Sequence, residues 1–122
     1  MFIDSYRVSL GNELMSGEKE IEIRRLMQQI EHQVQEMNSV AITAIAGDIK
    51  KSDFLKLAKA IALLRASYLK QVLAIAHSSE PELSSGLCEE ARKKREAYIE
   101  AIEGFDQLKH ALQRGYFNLI DD

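Results

Sequence analysis

Residues 54–76, FLKLAKAIALLRASYLKQVLAIA, decide the fold. Their length suits a membrane span, but Lys56, Lys59, Arg65 and Lys70 lie within them, with Arg65 at the midpoint. A charge at the bilayer centre costs about 2.5 to 3.5 kcal/mol, which rules out a span. Wound as a helix of about 3.6 residues per turn, the segment gathers Phe54, Leu57, Ile61, Leu64, Tyr68, Val72 and Ile75 on one side. The apolar surface continues through Leu55, Ala58, Ala62, Leu69 and Leu73. That arc exceeds half the circumference and leaves Lys56, Lys59, Ser67, Lys70 and Gln71 for solvent. A helix of this kind belongs at the centre of a soluble bundle, covered from two sides.

The solvent strip is basic, because no acid occurs from Phe54 to Ser79. A basic amphipathic helix also suits a membrane surface or an acidic partner. The large aromatic anchors of surface-binding helices are missing, and acids on the flanking helices neutralise the strip within the fold. The internal reading is therefore preferred to peripheral membrane contact.

Arg65 fits this picture least. It projects from the middle of the apolar arc, where an arginine must snorkel outward, pair with a carboxylate or meet an anion. In an antiparallel hairpin with turns near residues 49 and 80, its level matches Val34 before it and Lys94 after it. Glu31, Glu36 and Glu90 are the acids within about a turn. An ion pair with one of these, in the same chain or a second subunit, is the expected structural role. The alternative is functional: Arg65 and Lys94, with His110, converge on an anionic ligand or phosphate. A dimer centred antiparallel on this helix is disfavoured, since Arg65 would face its own symmetry mate.

Upstream, Ile23, Met27, Ile30, Val34, Met37, Ala41 and Ala44 advance in alternating steps of four and three, the seam of an amphipathic helix over 18–46. Gly47 terminates it, and Ser52 or Asp53 caps the next helix, 53–77. Pro81 disfavours helix at Glu80 yet suits the first turn of a third helix over 82–115. Ala91, Tyr98, Ile102, Phe105, Leu108 and Leu112 give that helix its apolar stripe. Residues 1–17 are mixed: FIDSYRVSL alternates weakly, as a strand does, while Asp4 equally caps a short helix, so this segment is left open as irregular or a short helix. In the tail, 116–122, Tyr116, Phe117, Leu119 and Ile120 are expected to dock on the bundle or on a neighbour.

The chain has 122 residues, 46% hydrophobic and 29% charged, with one proline and six glycines. That composition fits one globular domain. A single cysteine, Cys88, offers no intramolecular disulfide, and no signal-peptide pattern opens the chain, so a cytoplasmic and, given its compactness, bacterial protein is expected. A net charge of -3 opposes non-specific nucleic-acid binding, which draws on a positive excess.

No constellation of catalytic type emerges. His32 and Glu36 share a face, as do Asp106 and His110, but isolated pairs are a weak metal signal. Carboxylate-bridged di-iron bundles need a glutamate three residues before each histidine; Gln29, Ala74 and Gln107 occupy those places. HALQRG, from His110, approaches the pattern of histidine phosphotransfer domains, but its glycine comes one residue late, at Gly115. Cys88 precedes a basic run at 92–95 without a histidine within a helical turn. That run reads as a solvated face: Glu89 with Lys93, Glu90 with Lys94 and Arg92 with Glu96 stand at ion-pair spacing.

The expectation is an all-α fold: an antiparallel bundle of three long helices with a less regular N-terminal segment, completed by dimerisation. No enzyme activity, cofactor or metal is implied. The expected work is protein binding, to a second copy and to another protein, through Arg65, Leu69, Leu73, Phe117, Leu119 and Ile120.

Overall fold

The computed structural model describes residues 2–79 and 86–122, with side chains from Gly17 onward. Among the described residues there are three long helices: α1, Phe2–Ala46; α2, Lys51–Ala76; and α3, Cys88–Gln113. No strand occurs among the described residues; the only pairing of that kind is an isolated bridge between Lys50 and Ile120. α1 begins well before residue 18. The segment left open by its sequence continues the same helix, giving a rod of 45 residues, about 67 Å long. Gly17 is accommodated inside it, at a cost of about 1 kcal/mol relative to alanine.

Gly47 ends α1 with φ at 76°, a left-handed conformation open to glycine. α2 then starts two residues earlier than expected. The Asp53 carboxylate reaches back to the Lys50 amide, with N–H···O at 2.8 Å, and so caps the first turn. The Ser52 amide is capped from a distant part of the chain: it donates to Asp122 Oδ1 at 3.1 Å, and the Ser52 hydroxyl binds the other oxygen. α3 is described from Cys88, and Gly86 shortly before it has φ at 97°. The expected start at Pro81 lies outside the described residues. Gly115, φ 73°, closes α3 in the same left-handed way as Gly47.

α2 and α3 pack along their lengths and meet in reverse order of sequence. Phe54 meets Phe105 edge to face at 5.8 Å, Arg65 meets Tyr98, and Gln71 meets Leu87. Tyr68 and Tyr98 stack at 6.3 Å. Ile61 and Ala91 are buried in this contact, and Phe117 of the tail is 7% exposed, its ring 6.5 Å from that of Phe54. The tail thus docks as expected, sealing the open end of the α2–α3 pair. Ile120 exchanges backbone hydrogen bonds with Ile49 and Lys51, each at 3.0 Å.

α1 packs along neither α2 nor α3. The Gln35 amide donates to the Gly115 carbonyl at 3.2 Å, and Asn38, Ser39 and Ile42 on the same face are half-buried. This is a mostly polar face. The apolar seam lies roughly a third of the way around the helix and is exposed, from Val34 at 39% to Ile45 at 88%. The expected three-helix packing is therefore realised between α2 and α3, while α1 stands apart. Total accessible surface is 9981 Å², against roughly 6,600 Å² for a compact monomer of 13.8 kDa.

Phe117→Ala removes the ring that joins tail to core. It is expected to destabilise the fold by about 3 kcal/mol, read as a lowered urea midpoint; an unchanged midpoint contradicts the packing described. The Ser52 hydroxyl bond holds the Asp122 carboxyl below its ordinary range. A carboxyl with a depressed folded-state pKa stabilises the fold above its unfolded value, near pH 4. That contribution is lost as pH falls through the lower folded value. In Ser52→Ala the Asp122 titration, followed by carbon NMR, is expected to move up toward the ordinary value.

Candidate interaction surface

The surface with most to offer a partner is built from two exposed seams. On α1 it comprises the seven positions from Ile23 to Ala44 set at alternating steps of four and three, all of them exposed. Leu26, Val40 and Ile45 widen it. Beyond Glu36, α1 carries no charge up to its end at Ala46. A helix whose apolar side is exposed over about twenty residues, from 39% at Val34 to 67% at Met37, gains nothing from that composition in isolation, because the apolar area stays in water.

The second seam is on α2. Its buried side carries Phe54, Leu57, Ile61, Leu64 and Tyr68, all buried or half-buried. The continuation of the apolar arc, Leu55, Ala58, Ala62, Leu69 and Ala76, is exposed, as are Val72 and Leu73 beside it. Amphipathic winding places both sets on one broad arc; α3 covers only half of it. Leu69 and Leu73 therefore lie where a binding role needs them, at 52% and 57% exposure. Between the helices, Ala58, Ile61, Arg65, Ile102 and Phe105 line a recess of about 310 Å³.

Arg65 borders this recess. Its Nε donates to the Tyr98 hydroxyl at 2.9 Å, and its guanidinium carbon lies 5.3 Å from the Tyr98 ring centre. The expected carboxylate partner within the chain is replaced by a phenol. The reason is local: Tyr98 stands on α3 at the level of Arg65, whereas Glu31 and Glu36 are on the helix that stands apart. Tyr98 was legible as an apolar position of the α3 stripe, but its polar tip gave no signal in the spacing. The side chain of Arg65 keeps its charge in solvent while its stem crosses apolar surface.

The remaining candidates separate. Lys94 Nζ lies 3.5 Å from Gln71 Oε1, a turn away from Tyr98. His110 is exposed, sixteen residues beyond Lys94 and so about 24 Å along α3. Lys94 and His110 cannot touch the same small anion, so the three-residue phosphate site does not form. Phe117 is consumed by the core and Leu119 is half-buried; Ile120 is 40% exposed but fixed by its backbone bonds to the α1–α2 connection. Elsewhere His32 pairs with Glu36 at 3.1 Å, and Lys109 with Asp106 at 3.1 Å. Arg92 binds both Glu89 and Glu96; Glu89 takes this partner in place of Lys93, and its carboxyl is held below the usual range by the Arg92 hydrogen bond. These are solvated helix-face contacts.

Among the described residues no helix is long and apolar enough to cross a membrane, and no three acidic, histidine or cysteine side chains gather as metal ligands. Compared with protein-family models, curated proteins and solved structures, the chain matches none.

Tyr98→Phe tests how far Arg65 depends on its phenol. The bond is exposed, so its loss is expected to cost under about 1 kcal/mol in denaturation. A loss above about 2 kcal/mol contradicts an outward-facing Arg65.

Proposed function

We propose that this chain is a non-enzymatic protein-interaction module that works by offering apolar helix faces to a partner. The observation that carries this reading is the α1 seam: a periodic apolar stripe, exposed along a helix against which neither α2 nor α3 packs. Exposed contiguous apolar surface of this extent marks an interaction site. A helix face with anchors at three- and four-residue spacing is also the usual form of helix-in-groove recognition. The uncharged end of α1 and the Leu69 and Leu73 side of α2 supply the anchors. Arg65 places a positive charge within the α2 surface and favours an acidic neighbour.

Photoreactive benzoylphenylalanine placed at Met37 or Leu69, with Glu103 on the exposed face of α3 as control, tests this reading in cells producing the chain. Adducts of defined mass are expected at Met37 and Leu69, absent at Glu103, and reduced when Val40→Asp is added. Equal yields at all three positions, or no adduct at any, overturn it.

A further inference from the structure

The two uncovered seams fit each other. Read forwards from Ile23, the α1 seam advances by four, three, four, three, four and three to Ala44; read backwards from Ala76 through Val72, Leu69, Arg65, Ala62 and Ala58, the α2 seam takes the same steps to Leu55. Two helices laid antiparallel on these seams are in register at every position, the condition for continuous side-chain interdigitation. At three of the seven levels large meets small, Met37 opposite Ala62, Leu55 opposite Ala44 and Ile23 opposite Ala76, while Met27 meets Val72 and Ile30 meets Leu69. Val34 falls opposite Arg65, which brings Glu31, one turn earlier on α1, beside the guanidinium. Charge agrees with this match: α2 carries no acid after Asp53, while Glu31 and Glu36 flank Val34 on α1.

The α1 that covers α2 comes from elsewhere than its own chain. Within one chain, Gln35 is held to Gly115 and the α1–α2 connection to Ile120. Those contacts direct α1 away from its own α2. The uncovered area is ample for a dimer: the surface of 9981 Å² exceeds that of a compact monomer by roughly 3,300 Å², several times the about 800 Å² that a stable interface takes from each partner.

We propose that α1 of each copy lies antiparallel on α2 of a second copy, pairing Met37 with Ala62 and Val34 with Arg65, in a two-fold exchanged dimer. Each seam is used twice, as two-fold symmetry requires, and Glu31 of one copy meets Arg65 of the other. The proposal rests on the reading of the seams as interaction surfaces and names their occupant.

Disulfide trapping tests it. In a Cys88→Ser background, Met37→Cys and Ala62→Cys chains are refolded together, oxidised and separated without reductant; both positions are exposed, so neither change disturbs a core. A linked product of twice the chain mass is expected in the mixture and in neither variant alone. Adding Glu31→Lys to the first variant is expected to cut the yield about tenfold, and Arg65→Glu in the second to restore it. A product from Met37→Cys alone overturns the proposal in favour of α1 pairing with α1. A disulfide that leaves the mass of a Met37→Cys, Ala62→Cys double variant unchanged overturns it in favour of closure within one chain. No product in any sample also overturns it. With photo-adducts persisting at Met37, the seam then serves another protein and the interaction reading survives; without them, that reading fails too.

Discussion

The placement of α1 rests on a few contacts at its C-terminal third. Gln35 reaches the Gly115 carbonyl, and Ile120 is stitched to the connection between α1 and α2. These contacts engage a mostly polar face of the helix, so the apolar face is turned to solvent. The tail is thereby more than an appendage. It closes the α2–α3 core through Phe117, caps α2 through Asp122, and fixes the direction in which α1 leaves. Gly115 matters because its backbone is left-handed, with φ at 73°, a conformation that disfavours a side chain.

A fold built this way is short of buried apolar area. Ile61, Ala91 and Phe117 are the buried apolar residues among those described. Two packed helices and a tail form a small core, and a small core supplies little against the conformational entropy of ordering the chain. The composition is not short of apolar residues; their area lies on α1 and on the outer side of α2. In the proposed exchanged dimer that area is covered, which would link the stability of the chain to its association.

Much of the architecture was legible in the sequence because it depends on local periodicity. The three-four spacing from Ile23 to Ala44 and the wide arc of residues 54–76 each announced a helix, and Gly47 announced a boundary. The docking of the tail was legible from YFNLI, an apolar run after a helix-ending glycine. What was not legible depended on contacts distant in sequence. The extension of α1 to Phe2 was obscured by the alternation of FIDSYRVSL, whose period competes with that of a helix. The capping of Ser52 by Asp122 joins positions seventy residues apart.

The candidate surface divides in the same way. Leu69 and Leu73 follow from the width of the α2 arc, which one neighbouring helix cannot cover. Phe117 looks identical to an exposed anchor until the ring of Phe54 is placed beside it. Arg65 was correctly marked as anomalous, but periodicity assigns a level and not a partner, and the Tyr98 hydroxyl was hidden inside an apolar stripe. The central claim, that the exposed seams exist to be covered by a second copy, is tested most directly by sedimentation equilibrium of the full chain over a range of concentrations. The account predicts a limiting mass of twice 13.8 kDa, falling toward one chain on dilution. A mass of one chain at every concentration contradicts it.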